Sequence, residues 1–205
     1  LYAYGINEGS VYKRPYYAAS EGCSAVFAEM AAALAAGSAA LKGKSSKTDG
    51  YLEHAVHIFE MADASKSDDY YNDSNAAGFY RSSHFYDELF WAANWLYIAT
   101  GEQQYLDKAT SYIPNLGLEL GTSELKYSWG QCWDDVQQGG MLLYARSTKD
   151  TKYINQVKKH LDYWNNDVEK LDGGLRWLTT WGCLRYAETA AFLAAVASDT
   201  LLTGS

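Results

Sequence analysis

The chain of 205 residues repeats one local pattern at a spacing of about 50 residues. In each copy a short polar turn is followed by an aromatic residue and an aliphatic one, beginning at Tyr51, Tyr105 and Tyr153. Such a period is typical of stacked supersecondary units. Because the chain is rich in alanine and has only two prolines, helices are favoured over strands. Each repeat is therefore predicted to be a helical hairpin.

The two helices of each hairpin differ in their apolar pattern. The first is apolar almost all round, as in residues 24–41, 87–100 and 184–198, which predicts burial on every side. The second is amphipathic, as in residues 105–112. Inner helices wrapped by amphipathic outer ones form a double α-helical barrel. About three and a half hairpins make only an arc, so we expect an exposed apolar flank, a partner or missing sequence on both sides.

Charge and hydropathy limit the ligands that the chain can bind. The formal net charge of −8 argues against nucleic acid, because phosphate binding needs clustered Lys and Arg. We find no stretch of about 18 apolar residues, so no membrane-spanning segment is expected. A neutral polymer or a cation remains compatible with this composition.

Three segments that precede inner helices share an aromatic composition: residues 78–89, 127–136 and 176–188. They lie at the same end of their helices, so in a barrel they converge on one rim. Aromatic faces stack on the apolar C–H faces of pyranose rings, and Arg binds hydroxyl groups, which favours polysaccharide binding. The alternative is that these rings fill the core, and we favour that reading for Trp133 and Trp177. The candidate set is Phe79, Tyr80, Trp129, Trp133, Trp177, Trp181 and Arg185.

Paired acids begin two of the predicted inner helices: Asp87 with Glu88, and Asp134 with Asp135. Carboxylates at a helix start cap free N–H groups and favour the positive end of the helix dipole. Acids from two neighbouring hairpins also supply the several oxygens that Ca²⁺ needs, which would tie two rim loops together. The residues alone leave both interpretations open.

At these motifs the sequence resembles glycoside hydrolase family 9, the inverting cellulases built on an (α/α)6 barrel. The resemblance runs from about Gly22 to Thr200 and is carried by "AEMAAALAAGSAAL", "YLEHAVHIFEMAD", "WGQCWDDV" and "GGLRWLTTWGCLRYAETAAFLA". It implies an all-α fold, a partial (α/α)6 barrel. It further implies that residues 1–205 are the central part of a catalytic domain whose N- and C-terminal parts are missing.

The resemblance also assigns roles to residues. Phe79 and Tyr80 match a cleft-lining aromatic pair, Trp129 matches a sugar-stacking tryptophan, and Trp181 with Arg185 matches a Trp-Gly-x-x-Arg element that binds glucosyl units. Residues that hold a structural Ca²⁺ in calcium-bearing members are matched by Asp87, Glu88 and Asp134. One departure is Ser83 or His84 where many members carry another tryptophan, which implies a weaker glucosyl subsite there.

The family's catalytic motifs are absent from this sequence. Members carry an Asp-Ala-Gly-Asp segment with the general base, a His-x-Arg element and a late Glu that acts as general acid. None of these occurs here, so no catalytic residue is predicted, and we interpret Glu29 and Glu188 as structural acids.

The leading expectation is a piece of a secreted, extracellular endo-β-1,4-glucanase that is inactive alone. Its expected partners are a β-glucan or cello-oligosaccharide, the rest of its domain and appended modules. One alternative is a non-catalytic helical-repeat module that binds carbohydrate or mediates interactions. Another is a different (α/α)6 enzyme that acts on another glycan.

Overall fold

The computed structural model describes residues 18–202, which are mostly helical. The helices there are, in chain order, α1 (Ser24–Leu41), α2 (Thr48–Ser65), α3 (Asp69–Asn72), α4 (Tyr86–Thr100), α5 (Gln103–Tyr112), α6 (Gln137–Thr148), α7 (Thr151–Asn166) and α8 (Cys183–Thr200). Short 3₁₀ turns follow α3 and α5, at Asn75–Gly78 and Ile113–Asn115. Between α7 and α8, strands β1 (Glu169–Lys170) and β2 (Arg176–Trp177) pair antiparallel, with Glu169 opposite Trp177. The predicted domain of residues 1–205 extends beyond the described part at both ends.

The helices alternate between an inner and an outer layer. Helix α1 packs against α2 and α4, α4 packs against α5 and α6, and α6 packs against α7 and α8. Successive first helices are therefore neighbours, while α2, α5 and α7 cover them from outside. This is the predicted arc of three and a half hairpins of a double α-helical barrel.

Local signals set the tight turns between inner and outer helices. Helix α4 ends at Gly101, whose φ of +75° lies in the left-handed region and whose N–H donates to the Tyr97 carbonyl. Helix α7 begins after Asp150, whose carboxylate accepts the N–H of Lys152 at 2.8 Å. Glycine reaches positive φ without a Cβ clash, and an N-cap carboxylate satisfies a helix-start N–H group, so both turns follow from their residue types.

Burial of the inner helices depends on their place in the arc. Leu89 and Leu96 of the central helix α4 are wholly buried, as predicted. The prediction of burial on every side is wrong for one face of α1, which exposes Met30, and wrong for α8, which exposes Leu184 and Phe192. These helices form the two ends of the arc, so within residues 18–202 no further inner helix covers them.

Helix α1 also corrects the hydropathy expectation. Its 18 residues have a mean hydropathy of 1.5, enough in length and composition to cross a membrane, although we expected no such stretch. Its buried face consists of small residues, including Ala28, Ala31 and Ala35, and packs against α2 and α4. The same hydropathy and composition are found in a core helix that packs closely against two neighbouring helices, as α1 does here.

The close approach of α4 and α6 gives a testable prediction. A Cβ added to Gly140 would lie 2.7 Å from Cδ1 of Phe90, which is fully buried. We expect Gly140→Ala to lower the free energy of unfolding by roughly 2 kcal/mol, because overpacking forces neighbours to shift. The matched control is Gly50→Ala in the first turn of α2, where a Cβ meets nothing within 4 Å. The control should stabilise by about 0.5 kcal/mol. Urea unfolding measures both, and equal effects would contradict the prediction.

Candidate functional site

A cavity of about 420 Å³ opens at the end of the arc where the inner helices begin. All three of the segments predicted to converge there, residues 78–89, 127–136 and 176–188, contribute residues to its lining. Its lining includes Ser83, Trp129, Trp133, Asp134, Arg185 and Tyr186. The convergence predicted from the repeat is therefore present in the fold.

Pairs of aromatic rings build the walls of this cavity. The ring of Trp129 meets that of Tyr186 edge to face, with centroids 5.1 Å apart. Tyr80 and Trp133 are similarly arranged at 5.3 Å. Edge-to-face contact fixes a ring while leaving part of its face uncovered. Trp129 and Trp133 are 37% and 40% exposed, so both present ring surface to a ligand.

The five predicted sugar-contact residues are placed in three ways. Trp129 and Arg185 line the cavity, and Tyr80 packs on a lining residue. Phe79 and Trp181 are outside the lining and are strongly exposed, at 86% and 83%. Their role in binding saccharide stays a prediction.

Arg185 is held in place by its neighbour on α8. Its guanidinium lies over the ring of Tyr186, 4.6 Å from the centroid, and Nη2 donates to the Tyr186 hydroxyl at 2.6 Å. Its Nε is buried and has no hydrogen-bond partner. An unpaired buried N–H group is costly.

The loop that carries Tyr80 is fastened to the first hairpin. The Asn72 side chain donates to the Ser82 carbonyl and accepts the Ser82 N–H, each at 3.1 Å. The Ser82 hydroxyl donates to Asp68 at 2.6 Å, and the Tyr71 hydroxyl donates to the Tyr80 carbonyl. These contacts fix the aromatic loop to the segment around α3, and Asp68 also accepts the N–H of Ala25 in the first turn of α1 at 2.9 Å.

Two acids hold the loop that carries Trp129. The Glu119 carboxylate accepts the N–H groups of Tyr127 and Ser128 and the Ser128 hydroxyl. Burial would raise the pKa of Glu119, but these donors hold it below its usual value. Asp135 is paired with Lys126 at 2.6 Å, and burial raises the pKa of Asp135. Both carboxyl groups are committed to structure.

Outer helix α7 holds the same loop from behind. His160 is 2% exposed, and its Nδ1 donates to the Tyr127 carbonyl at 2.7 Å. Burial lowers the pKa of His160, and this hydrogen bond offsets the shift only in part. The imidazole is therefore neutral near pH 7 and positions the backbone two residues before Trp129.

The lowered pKa of His160 predicts a pH dependence. Below pH 6.5 the unfolded chain takes up a proton at this residue before the folded chain does, so the free energy of unfolding falls as pH falls through this range. His160→Gln should be less stable overall but should lose less stability between pH 7 and pH 5. Groups elsewhere titrate equally in both proteins, so the difference isolates His160. Urea unfolding at pH 7, 6 and 5 measures it, and parallel losses would contradict the prediction.

Asp87 and Glu88 are buried where α4 meets α6. Asp87 accepts the N–H of Val136, the residue before α6, at 2.9 Å, and His84 Nδ1 donates to it at 3.1 Å. Burial would raise the pKa of Asp87, but these donors hold it below its usual value. Burial and the neighbouring Asp87 raise the pKa of Glu88 well above its usual range, so Glu88 keeps its proton. Asp87 therefore acts as a capping acid, but for the start of α6 in the next hairpin and not for its own helix α4.

The three predicted calcium ligands are linked but not gathered into one group. Asp134 accepts the N–H of Ser83 at 2.9 Å, which joins its loop to the one before α4. Glu88 Oε2 is buried without a hydrogen-bond partner. Among residues 18–202, no three or more His, Cys, Asp and Glu side chains form a group placed to hold a metal ion. Calcium binding therefore stays a prediction.

Trp133, a member of the candidate set for which a core role was favoured, lines the cavity. Sequence reasoning missed Leu118 and Leu120, which line it from a hairpin between α5 and α6 that we did not single out. The available signal was the alternation of these leucines before the turn at Gly121, which is typical of a strand entering a hairpin.

Comparison with known proteins agrees with this geometry. A sequence model described as "Glycosyl hydrolase family 9" matches residues 3–205. Endoglucanase A of Bacillus pumilus is 39% identical over 201 residues, covering 91% of this chain and 29% of that protein. The structure of endoglucanase CelQ from Clostridium thermocellum complexed with cellotriose superposes with a TM-score of 0.85 at 46% identity, covering 94% of this chain and 32% of that one. An endoglucanase from the termite Nasutitermes takasagoensis gives a TM-score of 0.77 at 34% identity, with coverages of 88% and 40%.

The chain spans only about a third of the length of these relatives, 29% of the first and 32% of the second. Within that third, the fold agrees with that of CelQ at a TM-score of 0.85. The family profile extends over almost every residue. The chain therefore belongs to glycosyl hydrolase family 9.

Proposed function

We propose that this chain is the saccharide-binding part of an inverting β-1,4-glucan hydrolase. The observation that carries the proposal is the cavity at the rim, where loops of three successive inner helices meet around Trp129, Trp133 and Arg185. Support comes from relatives named endoglucanases and from the CelQ structures with cellotriose and cellotetraose.

Binding follows from the chemistry of the lining. A glucosyl ring presents apolar C–H groups on its faces and hydroxyl groups around its edge. An indole face therefore stacks on the C–H groups, and a cationic N–H group donates hydrogen bonds to the hydroxyl groups. Trp129 provides the stacking face, and the guanidinium of Arg185, which also lines the cavity, donates to a hydroxyl group. The exposed rings of Phe79, Tyr80 and Trp181 extend this surface for a longer chain.

Hydrolysis requires more than the described cavity contains. An inverting glycosidase needs two carboxyl groups roughly 6.5–9.5 Å apart, one protonated and one free to activate water. Of the three acids in the lining, Glu119 is held by three donors, Asp135 by Lys126 and Asp134 by the Ser83 N–H, so the lining offers no free pair of carboxyl groups for that work. We propose that the catalytic carboxyl groups come from the rest of the domain and that the 205-residue chain does not hydrolyse glucan alone.

The test is a titration of the 205-residue chain with cellotetraose, followed by tryptophan fluorescence, beside a reducing-sugar assay on soluble β-glucan. We expect saturable quenching and no release of reducing ends. Maltotetraose, which has the same units in α-linkage, is the matched control and should bind at least about tenfold more weakly, since about 1.4 kcal/mol of lost stacking suffices. Equal binding of both sugars, no binding, or measurable hydrolysis would each contradict the proposal.

We also propose a structural Ca²⁺ held by Asp87, Glu88 and Asp134. The donor type fits, because Ca²⁺ prefers carboxylate oxygens, and Glu88 Oε2 is a buried oxygen without a partner. A cation there would offset the repulsion that keeps Glu88 protonated. Ca²⁺ should therefore raise the melting temperature of the chain and Glu88→Gln should remove that rise, whereas no rise over a chelator control would reject the site.

Secretion is proposed from the size of the substrate. A glucan polymer does not enter a cell, so an enzyme that cleaves it must act outside. The expected result is recovery of the full-length protein in culture medium, and retention inside the cell would contradict it.

A further inference from the structure

The hairpin of residues 117–126, here called the rim hairpin, is a rigid edge of the cavity. Its two arms are joined by the bonds Lys126 N–H to Gly117 O and Glu119 N–H to Glu124 O, both 2.9 Å. Gly121 turns the chain with φ at +75°. At its base the buried side chain of Gln137 accepts the Gly117 N–H at 2.8 Å and donates to the Gly117 carbonyl at 3.1 Å.

Further contacts fix the rim hairpin from behind. Gln156 of α7 donates to the Leu125 carbonyl at 3.1 Å, and Lys159 pairs with Glu124 at 2.6 Å. Glu119, between the two leucines, is held by the loop that carries Trp129. The positions of Leu118 and Leu120 are thus set by the fold before any ligand arrives.

Both leucines reach the same cavity as Trp129. Leu118 pairs with Leu125 in an isolated antiparallel bridge, Leu120 lies in the turn two residues further on, and both belong to the lining. Leu118 is 49% exposed and Leu120 is fully exposed. A single exposed leucine needs no explanation, but two at the edge of a cavity that also holds exposed indole rings add apolar surface to its lining.

We infer that Leu118 and Leu120 form an additional contact for the saccharide chain, touching the apolar face of a glucosyl unit beyond the three that a cellotriose bound at Trp129 supplies. This inference rests on the proposed function. Leucine methyl groups complement pyranose C–H groups but offer hydroxyls no partner. The contact therefore adds affinity only for chains long enough to reach from Trp129 to the rim hairpin, and it selects for chain length.

The test compares cellotriose, cellotetraose and cellohexaose binding to the 205-residue chain and to Leu120→Ser by tryptophan fluorescence. We expect Leu120→Ser to bind cellohexaose about three- to tenfold more weakly, from the apolar area no longer buried, and cellotriose unchanged. Full exposure of Leu120 means that the substitution leaves the fold intact. The matched control is Leu41→Ser at the far end of α1, which should change nothing.

The outcomes separate this inference from the function on which it rests. If Trp129→Ala abolishes binding while Leu120→Ser binds every oligosaccharide like the wild type, the rim contact is rejected and the saccharide cleft stands. An equal loss for all three lengths also rejects the length-selective contact. If the wild-type chain binds none of the sugars, the proposed function and the inference both fail.

Discussion

Replacing Asp87 with alanine is expected to lower the free energy of unfolding by roughly 3 kcal/mol. The substitution removes the acceptor of the buried Val136 N–H and of His84. A buried N–H group without an acceptor bears its full desolvation cost. The start of α6 should then fray, and with it the loop that carries Trp129. Urea unfolding in the presence of a chelator measures the loss independently of any calcium.

The control for this prediction is Asp150→Ala. Asp150 also caps a helix, accepting the N–H of Lys152 at 2.8 Å, but it does so in solvent and within its own hairpin. Its removal should cost about 1 kcal/mol, as for an ordinary N-cap. If the two variants lose the same stability, Asp87 is only a local cap and does not join the two hairpins.

Trp181→Ala is expected to weaken cellotetraose binding by about tenfold, equivalent to about 1.4 kcal/mol of lost stacking. Its indole is 83% exposed, so truncation removes ligand contact without opening a core cavity. It lies four residues before Arg185, which lines the cleft. Isothermal titration of the wild type and the variant measures the change.

Phe192→Ala is the matched control for Trp181. Phe192 is a comparably exposed ring, at 64%, on α8, the helix that follows Trp181, and it lies about two and a half turns beyond the start of that helix. Its removal should leave cellotetraose affinity unchanged. Equal losses in both variants would mean that exposed rings bind the sugar non-specifically, and no loss in Trp181→Ala would remove it from the binding surface.

The fold could be predicted from sequence because it is repetitive and local. The amphipathic pattern of α5 and α7 and the apolar first helices depend on spacing along the chain, which the sequence displays directly. The position of Trp129 at the rim followed from the same repeat. The prediction that α8 is buried on every side was wrong. Burial depends on which helices pack against a helix in the fold, and the apolar pattern of the helix itself does not reveal them.

The contacts that hold the site could not be predicted in this way. Asp87 caps a helix 49 residues further along the chain, and His160 holds a backbone carbonyl 33 residues before it. Each pairing depends on the closeness of two hairpins, so no local motif encodes it. The rim hairpin was overlooked for a related reason. Leu120 becomes a candidate contact only because the fold places it in the same cavity lining as Trp129.

The central claim is that loops before successive inner helices form one saccharide-binding cleft. The most direct measurement is a titration of the ¹⁵N-labelled chain with cellotetraose, following the indole N–H resonances by NMR. Trp129 and Trp181 should shift saturably and together, while Trp95, on α4, should not move. A titration in which neither rim indole shifts, or in which Trp95 shifts as much as they do, would contradict the claim.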